Sequence, residues 1–385
     1  MLKQDFAMRH IIVAFDSFKG SLTSLEAGEA FALGINDILP DAETIVLPIA
    51  DGGEGIAEAI VAARSGTFVD TIASDPLGRC IAAHYGIVDG GTTAVIPLSA
   101  ASGITLLTTE ERNPLQATTY GTGELIIDAL SRGCKRIIVG LGGSATCDGG
   151  VGMLRALGYK FLDANGVELS GAAINILERV ATISDAAVDR RLKGVELCIA
   201  VDVDNPLCGE RGAAHIFAPQ KGASLDEVLR LDSALSHYAD VVAECFGRDV
   251  RAVAGAGAAG GVGYAFVAVM GCALRAGIEL ILDTLNFDTL LASADLVVTG
   301  EGRLDAQTVM GKAPSGVLRR AKQQGVRCIA VGGSVSMCES LECSAFAAIY
   351  SSTPEGMPLA EAMSPAVAKS NLRNLARTIA TEFAD

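Results

Sequence analysis

Short apolar runs alternate with amphipathic stretches along this chain, and a glycine-rich segment follows several of the runs. His10–Phe15 and Thr44–Ile49 have the pattern of strands. After the first, Thr23 and Glu26 form a capping-box signal for a helix. After the second come the loop ADGGEG and a helical pattern over Ile56–Arg64. Strands that alternate with helices in this way predict a parallel sheet.

The same order of strand, glycine loop and helix returns later in the chain. Apolar runs over Arg136–Val139, Ala294–Thr299 and Arg327–Val331 predict strands, and Ser315–Gln324 predicts a helix. In parallel α/β sheets a ligand lies beyond the carboxyl ends of the strands, which is where these loops fall. We therefore expect the loops to converge.

Composition allows two packed domains and excludes some partners. The chain has 385 residues, 50% of them hydrophobic and 19% charged. The stretch from Asp75 to about Leu285 has a more mixed pattern and is predicted to form a separate domain. A net charge of -15 disfavours nucleic acid and an anionic membrane surface.

The cysteine pattern and the apolar segments bear on location. None of the 10 cysteines forms a C-x-x-C pair and the N-terminus has no long apolar region, which predicts a cytoplasmic protein with reduced thiols. Ala252–Leu274 contains no charged residue and is long enough to cross a bilayer. Its glycines instead predict a buried loop followed by a helix.

Four glycine-rich loops, three of which carry a carboxylate or a lysine, give the main indication of function. They are Ala50–Gly55, Gly140–Gly150, Ala254–Gly261 and Thr299–Pro314. Glycine lets backbone amides gather around phosphate oxygens, lysine neutralises phosphate charge, and aspartate can hold Mg²⁺ or accept a proton. Together these loops predict phosphoryl transfer.

Two nucleotide-binding motifs would indicate other functions, the dinucleotide fingerprint and the Walker A loop. Gly255-x-Gly257-x-x-Gly260 matches the dinucleotide fingerprint, so an NAD(P)-dependent oxidoreductase is the alternative, although chance matches are expected among 44 glycines. A Walker A loop is excluded because Lys312 is followed by Ala313. A binding-only protein would not need several carboxylates beside the loops. A small-molecule kinase of another fold remains.

Many further motifs follow one another along nearly the whole chain. They are AFDSFKGSL at Ala14–Leu22, ADGGEG at Ala50–Gly55, DPLGR at Asp75–Arg79, RNPL at Arg112–Leu115, YGTGELI at Tyr120–Ile126, GGSATCDGGVGMLRALG at Gly142–Gly158, DVDNPLCG at Asp202–Gly209, PQKGA at Pro219–Ala223, GAGAAGG at Gly255–Gly261, and TGEGRLDAQT at Thr299–Thr308 followed by GKAP. With these motifs in this order, the chain resembles the bacterial glycerate kinases of the type I group.

This resemblance implies ATP- and Mg²⁺-dependent phosphorylation of D-glycerate within sugar-acid and glyoxylate catabolism, with 2-phospho-D-glycerate as the expected product. A D-glycerate 3-kinase is the alternative, and we leave a homodimer open. The implied fold is two α/β domains with the active site in the cleft between them. One domain, flavodoxin-like and discontinuous, would comprise residues 1–74 plus 286–385, and the other residues 75–285.

Site roles follow as hypotheses from the motifs. Asp202 and Asp204, after the predicted strand Glu196–Val201, are candidate Mg²⁺ ligands, although an ordinary turn would have the same pattern. Asp51 or Asp148 is the candidate base, with turn formation as the competing interpretation. The candidate substrate-binding residues are Asp16, Ser17, Lys19, Arg303 and Lys312, and Lys19 is also a candidate catalytic residue. The residues expected to cradle ATP phosphates are Gly142, Gly143, Ser144, Gly257, Gly260 and Gly261.

The chain departs from the family pattern at three positions. Pro97 stands where relatives usually have a glutamate, so a carboxylate is missing that could touch substrate. Cys147 replaces an asparagine and Ala218 replaces a glycine. Lys221, which follows Pro219 and Gln220 in a turn with glycine, has two interpretations, an anion-binding residue or a solvated surface lysine.

Overall fold

The structure, a computed structural model, describes residues 10–50, 55–309 and 311–384. These fall into two compact units, each with its own sheet. The first comprises the described residues of 1–51, 58–64 and 278–385, and the second those of 52–57 and 65–277. The predicted domain boundaries at 74 and 285, and a site in the cleft between domains, stay predictions.

The strands, in chain order, are β1 (His10–Phe15), β2 (Glu43–Pro48), β3 (Thr67–Ser74), β4 (Cys80–Val88), β5 (Thr93–Pro97), β6 (Arg136–Gly140), β7 (Lys160–Leu162), β8 (Thr182–Ser184), β9 (Glu196–Val201), β10 (Leu274–Ala276), β11 (Leu296–Leu304), β12 (Arg327–Val335) and β13 (Ile349–Ser351). The helices, in chain order, are α1 (Ser24–Ile38), α2 (Ile56–Ala63), α3 (Ser99–Ser102), α4 (Tyr120–Ser131), α5 (Val151–Ala156), α6 (Ala173–Arg179), α7 (Ala213–Phe217), α8 (Leu225–Phe246), α9 (Ala258–Tyr264), α10 (Gly277–Thr284), α11 (Phe287–Leu291), α12 (Ala313–Gln323), α13 (Glu339–Glu342), α14 (Leu359–Ala362) and α15 (Pro365–Ala384).

The sheet of the first unit has five parallel strands in the order β13-β12-β11-β1-β2. Renumbered along the chain, this is the flavodoxin-like order 2-1-3-4-5, which confirms the predicted α/β class and its parallel sheet. All residues of β1 except the first are buried, as expected for a strand covered on both faces. The strand order reverses between β1 and β11, so ligand binding is expected beyond the carboxyl ends of these two strands.

The predicted end of one strand in this sheet is wrong. The sequence predicts that a strand ends at Thr299 and passes into a glycine loop, but β11 continues to Leu304 and pairs with β12 throughout. A Cβ on Gly300 would lie 2.1 Å from the carbonyl oxygen of Val331. This glycine therefore permits close strand packing rather than a turn.

Helix α1 begins as predicted. The Oγ1 of Thr23 accepts a hydrogen bond from the Glu26 amide at 3.2 Å, and Glu26 Oε2 accepts one from the Thr23 amide at 3.1 Å. Lys369 of α15 donates to the same glutamate at 2.8 Å. The cap fixes where α1 begins, and so where the loop between β1 and α1 ends.

Thr23→Ala is expected to lower the free energy of unfolding by about 1 kcal/mol, because the Glu26 amide loses its acceptor. Urea denaturation followed by far-UV circular dichroism measures the change. Thr378→Ala is the matched control, since Thr378 is an exposed threonine inside α15 and caps no helix. Equal losses in the two variants would contradict a specific capping role.

The sheet of the second unit has six strands in the order β10-β9-β6-β5-β4-β3. Strands β5, β6, β9 and β10 are parallel, and β3 and β4 extend the sheet in antiparallel fashion. The predicted strands Arg136–Val139 and Glu196–Val201 are β6 and β9, so the loops that follow them leave the same edge of the sheet.

The uncharged segment Ala252–Leu274 contains the short helix α9, and its residues 255–266 are buried. The predicted buried loop followed by a helix is thus observed. Among the residues that the structure describes, we find no helix with the length and apolar character to cross a membrane.

Candidate active site

A cavity of about 540 Å³ lies in the first unit, beyond the carboxyl ends of β1, β11, β12 and β13. Three cationic and three acidic side chains line it, and these are Asp16, Lys19, Glu301, Arg303, Asp305 and Lys312. Ser17 lies on the same wall. All five substrate-binding residues predicted in this unit are therefore brought together around one cavity.

A tight turn presents Lys19 to this cavity. The Ser21 amide donates to the carbonyl of Phe18 at 2.8 Å, and Gly20 between them has φ +77°, as the third residue of a type II turn requires. Lys19 is exposed, and within the described residues no carboxylate pairs with its ammonium. An exposed cation without a partner at the rim of a cavity is suited to attract an anion.

The other two cations already have counter-ions. Lys312 Nζ lies 3.7 Å from Glu301 Oε2, and Arg303 Nε lies 3.5 Å from Asp305 Oδ2. Glu301 is buried, and its Oε1 accepts a hydrogen bond from Thr308 Oγ1 at 2.8 Å. Sequence reasoning missed Glu301, although its alternation with Arg303 along β11 places both on one face of the strand.

One wall of the cavity is apolar and was also missed. Phe18, Met357, Leu359 and Met363 contribute to it. A Cβ on Gly20 would lie 2.9 Å from the terminal methyl of Met363, so this methionine packs directly on the turn that carries Lys19. The cavity thus combines charged groups with an apolar surface, as sites for small organic ligands commonly do.

A second, smaller cavity of about 220 Å³ lies in the second unit, beyond the carboxyl ends of β6 and β9. Gly142, Gly143 and Ser144 line it, as predicted for a loop after β6, and Asp202 lines it after β9. Within the described part of the chain, the backbone amides of Gly142, Gly143 and Ser144 donate no hydrogen bond. Adjacent amides without acceptors form a concave surface that suits an anion.

Lys221 also lines this second cavity, although it is almost completely buried. Its Nζ donates to Ser144 Oγ at 2.8 Å and to the Thr146 carbonyl at 2.7 Å. Burial lowers the pKa of the Lys221 ammonium below its ordinary value. Of the two interpretations that the sequence left open for this lysine, solvent exposure is wrong.

Asp148, a predicted base, is completely buried and does not line either cavity. Its carboxylate accepts four hydrogen bonds, from the amide and hydroxyl of Thr119 at 2.8 and 2.7 Å and from the amides of Gly150 and Gly152 at 3.0 and 3.1 Å. Burial raises the pKa of Asp148, and these hydrogen bonds oppose that shift. In this geometry Asp148 links the loop before α5 to the start of α4, and its role as proton acceptor stays a prediction.

Gly257, Gly260 and Gly261, predicted to cradle phosphates, are buried against protein backbone. A Cβ on Gly260 would lie 2.1 Å from the Thr146 carbonyl oxygen, and one on Gly257 would lie 2.3 Å from that of Pro206. These glycines permit loops to pack closely, and none of the three lines the cavity. The geometry supports a packing role for them, and their direct contact with a ligand stays a prediction.

The two predicted metal ligands lie in different surroundings. Asp202 is exposed on the small cavity, whereas Asp204 pairs at 3.3 Å with Arg211 on the surface and does not line that cavity. Among the described residues, no three His, Cys, Asp or Glu side chains are grouped so that they could hold a metal ion. A single carboxylate would still suit Mg²⁺ if phosphates bound beside it, since this ion commonly keeps several waters and uses one or two carboxylates plus phosphates.

Asp51 and Pro97 are the other two positions that the sequence singled out. Asp51, the other candidate base, lies outside the described residues. Pro97 is the buried last residue of β5, next to Gly140 of β6, so the edge of the sheet carries no carboxylate at this position.

Comparisons with known proteins agree along almost the whole chain. The model of the glycerate kinase family matches residues 11–384. A glycerate kinase of Bacillus subtilis is 44% identical over 91% of this chain and 92% of its own length. A glycerate 2-kinase of Escherichia coli is 45% identical over 85% of each chain.

The fold of this chain is also similar to that of a solved structure. A crystal structure from Salmonella typhimurium LT2, described as a proposed glycerate kinase 2, superposes with a TM-score of 0.88 at 42% identity and covers 97% of this chain and 98% of its own. With the matching family model and relatives of this identity and coverage, the chain belongs to the glycerate kinase family.

Proposed function

We propose that this enzyme transfers the γ-phosphoryl group of ATP to the 2-hydroxyl of D-glycerate, giving 2-phospho-D-glycerate and ADP. The observation that carries the proposal is Lys19, an exposed cation without a carboxylate partner among the described residues, on a cavity at the strand reversal of a flavodoxin-like sheet. The relative named as a glycerate 2-kinase supports the choice of hydroxyl.

Lys19, Arg303 and Lys312 would neutralise the carboxylate of glycerate and the phosphates of ATP. Glu301 holds Lys312 through an ion pair and is itself fixed by Thr308, so the position of this ammonium is set before a ligand arrives. The cavity is much larger than a three-carbon acid needs. Its apolar wall, which includes Leu359 and Met363, is the surface that a purine base would cover.

In the second unit, the free amides of Gly142, Gly143 and Ser144 would bind phosphate oxygens. Asp202 would hold Mg²⁺, which when bound neutralises charge on the phosphates during transfer. We exclude Asp204 from this set because it pairs with Arg211.

The reaction itself needs one proton acceptor. The glycerate hydroxyl oxygen bonds to the γ-phosphorus, the bond from that phosphorus to the β,γ-bridging oxygen breaks, and ADP leaves. The hydroxyl proton passes to a carboxylate. Since the buried carboxylate of Asp148 already accepts four hydrogen bonds, we keep Asp51 as the proposed acceptor.

The test incubates purified protein with MgATP and D-glycerate and follows ADP release. Product is identified by coupling to enolase alone, which accepts 2-phosphoglycerate, or to phosphoglycerate mutase plus enolase. Signal with enolase alone supports the proposal, and signal only with the mutase makes the protein a 3-kinase. ADP release no greater than with L-glycerate would refute the activity.

The oxidoreductase alternative is tested separately by thermal shift. A ligand that binds only the native state raises the melting temperature, so MgATP is expected to stabilise the protein and NADH is not. Stabilisation by NADH alone would favour the alternative.

A further inference from the structure

The ammonium form of Lys221 has a charge that the surrounding protein would not balance through direct contact. Only 2% of the residue is exposed, and the two acceptors of its ammonium are the neutral oxygens of Ser144 and Thr146. No carboxylate lies within ion-pair distance of its Nζ in the part of the chain that the structure describes. A buried cation without a counter-ion is costly, so an anion at this position would be strongly favoured.

Charged groups around Lys221 do not remove this imbalance. Asp148 is close enough for its charge to act on Lys221, but its carboxylate already accepts four hydrogen bonds from other groups. Cys147 is a buried thiol whose pKa is raised by burial, so it stays neutral near pH 7. Asp202 lies on the same cavity but is exposed to solvent.

The cavity supplies further donors beside this ammonium. Ser144 joins the two sets, since its hydroxyl contacts Lys221 Nζ and its amide belongs to the three free amides of Gly142, Gly143 and Ser144. An ammonium has three N–H donors, of which two are used, so one remains for a ligand. The space of about 220 Å³ in front of these groups suits a small anion better than a whole nucleotide.

We propose that Lys221 and the amides of Gly142, Gly143 and Ser144 form one oxyanion-binding site. Its ligand is a planar or tetrahedral oxyanion, either a phosphate group of ATP or the carboxylate of glycerate. The proposal rests on the proposed function for these two sources of the anion, but the site itself is defined by the geometry. Lys221 thus supplies the full positive charge in a cradle that otherwise has only amide dipoles.

The experiment compares wild-type protein with Lys221→Met by isothermal titration calorimetry, in separate arms with D-glycerate, MgATP and inorganic pyrophosphate. Loss of one charge-assisted hydrogen bond is expected to weaken binding by about 10- to 100-fold in the affected arms. Weakening with D-glycerate alone assigns the site to the carboxylate, and weakening with MgATP and pyrophosphate assigns it to phosphate. Lys193→Met, which removes an exposed lysine of the same unit, is the matched control and should bind like wild type.

Other outcomes overturn either the oxyanion site or the proposed function. If folded Lys221→Met binds all three ligands as tightly as wild type, the lysine only braces the loop through Ser144 and Thr146. If wild type binds pyrophosphate but neither D-glycerate nor MgATP, the proposed function fails while the oxyanion site stands. If wild type binds none of the three, the site is refuted.

A second measurement covers a variant that does not fold. A crystal structure of wild-type protein soaked with pyrophosphate, and another with D-glycerate, would show where each anion lies. An oxygen within hydrogen-bond distance of Lys221 Nζ supports the site. Anions bound only elsewhere would overturn it.

Discussion

Lys19→Met is expected to lower kcat/KM for D-glycerate phosphorylation by about 10²- to 10³-fold, the effect of removing one well-placed donor from developing charge. The side chain stands on a turn formed by Phe18 and Ser21 and has no intramolecular ion pair among the described residues. Its loss should therefore change stability by less than about 0.5 kcal/mol. Steady-state kinetics with MgATP, together with thermal unfolding, measures both effects.

Two further variants sharpen this test. Lys322→Met removes an exposed lysine from α12 in the same unit and should retain wild-type kinetics. Lys19→Arg keeps the positive charge and should recover part of the activity. A Lys19→Met enzyme with wild-type kcat/KM would remove this residue from the site and with it the main support for the proposed function.

Asp148→Ala is expected to lower the free energy of unfolding by about 3–5 kcal/mol, because it leaves buried donors of Thr119, Gly150 and Gly152 without an acceptor. Asp148→Asn should also be destabilising, since its amide group would point donors at donors. Urea denaturation with a probe in the second unit, such as the fluorescence of its buried tyrosines, measures the loss.

The matched control is Asp185→Ala, which removes an exposed aspartate from a turn of the same unit and should change stability by less than about 0.5 kcal/mol. The decisive contrast is between stability and activity. If Asp148→Ala unfolds like wild type yet has no turnover, the carboxylate takes part in the chemistry, and its assignment as a link between loops is wrong.

The sequence predicts the elements of this protein well where the signal is local. The capping box of Thr23 and Glu26, the apolar run of β1 and the strand and helix alternation of the first unit depend on neighbouring residues, and each is found in the structure. The β11 boundary was missed because Gly300 and Gly302 resemble a turn, whereas pairing with β12 extends the strand.

The roles of individual site residues could not be assigned in the same way. A glycine that binds a ligand and a glycine that lets two backbones approach look the same in sequence. The 2.1 Å between a Cβ built on Gly260 and the Thr146 carbonyl oxygen, which only the structure gives, supports the packing interpretation. An Asp-Gly pair likewise predicts either a base or a turn. For Asp148, burial and four hydrogen bonds support a structural carboxylate, which the stability and activity of Asp148→Ala test.

By itself, then, the sequence determined the family, through motifs in a fixed order, and the α/β elements, through periodicity and caps. The tertiary structure decided which side chains share a cavity and which charges lack a partner. Lys221 and Ser144 are separated by 77 positions in the chain, and no local pattern can show that Lys221 Nζ lies 2.8 Å from Ser144 Oγ. Burial, ion pairing and hydrogen bonding depend on such distant contacts, which arise only when the strands that carry the loops are brought side by side.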